Sequence, residues 1–97
     1  PYKCKLCGIG NIELTHDICP YCGWEDDDVQ QDNPDYVVGA NEMSFNQYKK
    51  FWEENKDEIL LNLKNNRFYA IEKSQEYYEK HFQEINDEIR EREQEEN

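Results

Sequence analysis

From residue 44 onward the apolar side chains recur at helical spacing. Phe45, Tyr48, Trp52, Ile59 and Leu63 fall on one face at about 100° per residue, flanked by Phe51 and Leu60. Ser44-Phe45-Asn46-Gln47 reads as a capping box and sets the start of this helix. Asn55-Lys56-Asp57 is placed to bend it, and Asn65-Asn66 supplies a residue able to end it in the left-handed conformation. A second helix is predicted from about Phe68 to about Arg92. Its stripe is Phe68, Ile71, Gln75, Tyr78, Phe82, Ile85 and Ile89, in alternating steps of three and four, with Tyr69 and Tyr77 off that face and His81 at its edge. A short loop between two amphipathic helices predicts an antiparallel hairpin. At 1.5 Å per residue the second helix spans roughly 37 Å, against about 32 Å for a compact globule of this length, so its end is expected to protrude. Ile85 and Ile89 would then need a second copy or another protein, and the charged residues after Arg92 would fray.

The first residues carry a different pattern. Cys4-Lys5-Leu6-Cys7-Gly8 and Cys19-Pro20-Tyr21-Cys22-Gly23 contain all four cysteines, with eleven residues between Cys7 and Cys19. Two thiolates two residues apart turn onto one ion, and the following Gly lets the backbone take positive φ with its amides facing the sulfurs. Gly8 to Ile18 is predicted as a tight β-hairpin with Thr15-His16-Asp17 at its tip, and Trp24 is expected to pack over the metal site. A pair of disulfides is the alternative; the absence of an apolar leader favours a reducing compartment and free thiols. A catalytic dithiol would have one pair at a helix N-terminus. The zinc-deaminase pattern fails, because His16-Asp17-Ile18 lacks the His-x-Glu and Pro20 lies inside the pair. Four thiolates close a coordination sphere, so a structural Zn²⁺ is expected at Cys4, Cys7, Cys19 and Cys22, with iron the runner-up.

Together these patterns predict a small α+β fold: an N-terminal zinc-ribbon-like β-hairpin module, then an antiparallel two-helix hairpin with a long C-terminal helix. The expected divisions are a Cys4 zinc-knuckle module over 1–24, an acidic connector over 25–43, and the helical hairpin with its charged tail over 44–97, all in one compact domain. Leu, Ile, Val and Phe fill only 19 of 97 positions and the formal charge is -12, a composition on the edge of disorder. A structural zinc site, contributing on the order of 10 kcal/mol or more, offsets that weakness.

Acid is concentrated in the connector, where Glu25, Asp26, Asp27, Asp28, Asp32 and Asp35 stand with no Lys or Arg among them. The spacing lacks the alternating Asp and Gly of a calcium loop. No run of about 20 apolar residues exists to span a bilayer. The acid excess disfavours nucleic acid as a ligand and favours a basic partner.

Ile18-Cys19-Pro20-Tyr21-Cys22-Gly23-Trp24-Glu25-Asp26-Asp27, then Val29-Gln30, Pro34-Asp35, Gly39-Ala40-Asn41 and Ser44, resembles the bacterial cysteine-rich CPCC family. Where that family is named for a Cys-Pro-Cys-Cys start, this chain has Cys4-Lys5-Leu6-Cys7. The resemblance implies a small metal-binding bacterial protein, and some members look like immunity proteins encoded beside secreted toxins. The knuckles alone are also similar to those of rubredoxins.

No nucleophile–base pair, open metal position or phosphate-binding Gly loop points to an enzyme. The expectation is therefore a cytoplasmic, zinc-stapled binding module that blocks the basic surface of a toxin such as a nuclease. Glu25, Asp26, Asp27, Asp28, Asp32 and Asp35 would meet its cations, and Ile85 and Ile89 would anchor it, unless the second helix forms a homodimer. A zinc-ribbon regulatory or adaptor protein is the alternative, and a rubredoxin-like electron carrier a further one.

Overall fold

A computed structural model of the chain describes residues 1–96. It is a small α+β fold in which a two-stranded antiparallel sheet precedes the helices. Strands β1 (Tyr2–Lys3) and β2 (Asn11–Ile12) pair Tyr2 with Ile12 and Lys3 with Asn11. The first knuckle is thus the turn of this hairpin. The hairpin predicted inside Gly8 to Ile18 is replaced, because residues 13–17 fold instead into a turn around Asp17. Asp17 Oδ2 accepts the amides of Glu13 and Leu14, and His16 takes a φ of 71°. An isolated antiparallel bridge between Ile18 and Glu25 brackets the second knuckle in the same way.

The connector holds an unpredicted helix, α1 (Asp28–Asp32), with Asp27 as its N-cap accepting from the Gln30 amide. Helix α2 (Phe45–Asn62) begins at Ser44 with both halves of the capping box formed. It runs through Asn55-Lys56-Asp57 without a break and ends with Leu63 in right-handed geometry, so no left-handed Asn ends it. Asn66 Oδ1 then accepts the Phe68 amide to lead into the next helix.

The single second helix is in fact two, α3 (Tyr69–Lys80) and α4 (Phe82–Glu96), separated at His81, where φ is -109° and ψ 21°. Contacts pair Gln47 with Ile85, Phe51 with Tyr77 and Glu58 with Lys73, descending along one segment as they ascend along the other. The break turns Ile85 and Ile89 into the core, where they are buried. They are therefore core residues rather than the protruding anchors expected. The charged segment is helical through Glu96, and the last residue of the predicted 44–97 unit, Asn97, lies outside the described residues.

The core runs from Leu6 and Ile12 under the first knuckle to Trp24, Tyr48, Phe51, Trp52 and Ile59. Trp24 is fully buried between the knuckles and α2, edge-on to Phe45 and Tyr48 at 5.4 and 5.3 Å, as its position after the second cysteine pair suggests. Its indole N–H donates to Gln31 Oε1. These edge-to-face contacts concentrate apolar burial in few large rings, which suits so lean a composition.

Candidate metal centre

Each knuckle closes the same way. The Gly8 amide donates to the Cys4 carbonyl and the Gly23 amide to the Cys19 carbonyl, both at 2.8 Å, with Gly8 and Gly23 at φ of 76° and 84°. Beyond each turn the chain folds back, Cys4 N donating to Gly10 O and Cys19 N to Trp24 O. The second cysteine of each pair accepts an amide two residues on: Ile9 N reaches Cys7 Sγ and Trp24 N reaches Cys22 Sγ, both at 3.4 Å. Amides aimed at sulfur favour the thiolate.

The four sulfurs lie within 4.8 Å of one another, and the cysteines are free rather than disulfide-bonded. Cys4 Sγ is 3.7 Å from Cys22 Sγ and Cys7 Sγ is 3.6 Å from Cys19 Sγ. A tetrahedral ion with metal–sulfur bonds of about 2.3 Å has sulfur–sulfur edges of about 3.8 Å, so the donors match a tetrathiolate site. Gly10 completes the cradle: a Cβ there would lie 2.6 Å from Cys19 Sγ. Cys4, Cys19 and Cys22 are buried and Cys7 is half-buried. Shared protons drive the Cys7 thiol down and the Cys22 thiol up, each chiefly through hydrogen bonding with Cys19. Titration therefore belongs to the cluster as a whole, and a cation bound by all four replaces its protons.

The family model of the cysteine-rich CPCC proteins matches residues 2–56, more than half of the chain. The chain belongs to this family. The match reaches past the resembling string into α2, so it covers both knuckles, the connector and the first part of that helix of this CPCC protein. No curated protein and no solved structure matches the chain.

Two neighbouring side chains on α2, neither suggested by a sequence motif, clasp the knuckles of this CPCC protein. Tyr48 Oη donates to the Cys22 carbonyl at 2.7 Å, and Lys49 Nζ donates to the Leu6 carbonyl. Burial pushes the Tyr48 phenol well up, so it stays a donor. Adjacent residues on a helix differ by about 100° in direction, and here that divergence spans the two knuckles.

The connector's acid divides into two groups. Asp26 is buried and accepts from Tyr2 Oη. Asp27 is also buried. Burial opposes its ionisation, but the amides of Ala40, Gln30 and Val29 outweigh it and hold the carboxyl below the usual aspartate range. Buried Gln30 bonds the Asn41 amide and carbonyl and the Met43 carbonyl, while Asn41 exchanges bonds with both the amide and the carbonyl of Glu25. Gln30, Ala40 and Asn41 of the resembling string thus tie the connector together and to the second knuckle. Asp26 and Asp27 hold the fold and are not contact residues as expected, because long-range partners draw them inside. Glu25 is half-buried beside His16, at 3.7 Å, and His16 itself is an exposed turn residue. Asp28, Asp32 and Asp35 remain exposed. No helix among the described residues is long and apolar enough to cross a membrane.

Proposed function

We propose that this CPCC protein is a zinc-stapled acidic protein-binding module that neutralises a basic partner, in the manner of a bacterial immunity protein acting on a toxin such as a nuclease. The observation that supports the reading is the exposed acid of Asp28 and Asp32 on a short helix locked to the second knuckle, with exposed Asp35 in the turn just after it. Carboxylates on a rigid support steer a cationic surface into place, raising the on-rate and setting specificity. Four thiolates leave a bound zinc no position for an activated water, so the metal supplies folding free energy and the surface supplies function. A reducing cytoplasm, which keeps thiols available to metal, suits this chemistry.

The test is co-expression with the product of the adjacent gene. The reading predicts that the wild-type chain rescues growth from a toxic basic protein encoded there, and that reversing Asp28, Asp32 and Asp35 to Lys abolishes rescue and flattens the salt dependence of binding. A neighbourhood without a toxin, or a reversal that leaves affinity and its salt dependence unchanged, contradicts it and favours a regulatory or adaptor role.

A further inference from the structure

Helix α3 carries apolar residues on two faces, and the second is only partly covered, Tyr78 touching the edge of the core. Its inner face carries Tyr77, packed on Phe51, beside the small residues Ala70 and Ser74, which are buried, and the Ala70 carbonyl carbon lies 3.3 Å from where a Gly23 Cβ would be. The heptad stripe points elsewhere. Phe68 and Phe82 are 50% and 52% exposed, Ile71 and Tyr78 half-buried, and Gln75 exposed. The break at His81 interrupts the stripe: Ile85 and Ile89 of α4 turn inward, while Phe68, the N-cap of α3, and Phe82, the first residue of α4, stay exposed at either end of the 12-residue α3.

Beside this face runs an apolar groove of about 140 Å³, where Ile18 and Met43 oppose Ile71 and Tyr78. Its near wall carries Glu25 and Glu42, and no Lys or Arg lines it. At 100° per residue, Glu72 and Glu79 flank the stripe on the far side, and both are exposed. Acid thus flanks the strip on both sides from Ile71 to Tyr78, while at its start the Arg67 guanidinium lies over the Phe68 ring, 4.7 Å from its centroid.

We propose that the outward face of α3 and its groove form a docking seam for an amphipathic basic helix of a partner protein. The inference rests on the binding-module reading but locates the apolar contact on the stripe from Phe68 to Phe82. Alternating steps of three and four offer the holes that another helix's knobs fill, and the glutamates on either edge pair with Lys or Arg at the flanking positions of that helix. A second copy of the chain would bring Glu72 and Glu79 against acid and add another charge of -12.

The test uses metal-loaded protein and a helical peptide with Leu at heptad spacing and Lys at the flanking positions, compared with the same peptide bearing Glu. Nuclear magnetic resonance shifts should map to Phe68–Phe82, Ile18 and Met43 with the Lys peptide alone. Ile71→Asp, or Phe68→Asp with Phe82→Asp, should weaken binding by about tenfold or more while circular dichroism stays unchanged, and Leu61→Asp, exposed on α2, should not. Shifts centred on Asp28, Asp32 and Asp35, affinity indifferent to the α3 substitutions, no binding at all, or a dimer in sedimentation equilibrium that Phe82→Asp dissolves would each overturn the seam. The two proposals fail separately: a neighbourhood without a toxin leaves the seam intact, and a silent seam leaves inhibition through the acidic edge standing.

Discussion

Gly8 and Gly23 occupy equivalent places after the two cysteine pairs, with nearly the same φ, and they differ in what surrounds them. Alanine at either position carries the left-handed backbone penalty, about 1–2 kcal/mol. At Gly8 the new Cβ meets nothing within 4 Å, so that penalty is the whole cost. At Gly23 it lies 2.7 Å from Tyr48 Oη, which is held by the Cys22 carbonyl, and 3.3 Å from the backbone of Ala70. Neither neighbour retreats without breaking a bond or moving α3, which adds about 1–3 kcal/mol. Gly23→Ala should therefore lose about 1–3 kcal/mol more than Gly8→Ala in urea unfolding at a fixed excess of metal, since bound metal itself shifts apparent stability. Tyr48→Phe removes the clashing oxygen, so the double variant Gly23→Ala with Tyr48→Phe should lose less than the sum of the single losses. Equal losses at the two glycines, or strict additivity with Tyr48→Phe, would refute the claim that close packing of α2 and α3 on the second knuckle, rather than backbone conformation alone, demands glycine there.

Other consequences are as direct. Ser44→Ala removes the acceptor for the Gln47 amide and should cost about 1 kcal/mol in the same unfolding assay; no loss would mean that packing alone starts α2. Lys49→Met keeps the aliphatic stem but removes the donor to the Leu6 carbonyl, and should weaken metal binding by about tenfold in competition with a chromophoric chelator, whereas Lys50→Met should not. The depressed Asp27 carboxyl contributes stability that is present above the unfolded aspartate value of about 3.9 and is lost as pH falls through its lower folded value. The stability gap between wild type and Asp27→Asn should accordingly close on acidification, and carbon resonances of the Asp27 carboxyl should titrate below the usual range; a gap independent of pH would contradict the assignment.

The parts legible from sequence are those whose causes lie within a few residues. Two CxxCG pairs define the donor set and place Gly8 and Gly23 at positive φ, and Ser44 with Gln47 marks the start of α2, because each involves a local bond pattern. The heptad stripe misled for a physical reason: its spacing is continuous through residue 81, but the helix is not, and one break at His81 sends Ile85 inward while Phe82 stays out. Burial of Asp26 and Asp27 was equally hidden, since it depends on Tyr2 and on the Ala40 amide, each brought in by the fold from afar. Ala70 on the inner face of α3 answers to the backbone of Gly23, a contact that no periodicity encodes. Helix α1 did leave a signal in Asp27 followed by Gln30, but five residues are too few for an apolar period to show.

The central claim is that Cys4, Cys7, Cys19 and Cys22 together hold one metal ion and close its coordination. X-ray absorption at the zinc edge of the purified protein tests it most directly. Four sulfur scatterers at about 2.3 Å, with no nitrogen or oxygen in the shell, are the expected result. Fewer than four sulfurs, an oxygen or nitrogen ligand in their place, or cysteines joined as disulfides with no metal bound would contradict the account.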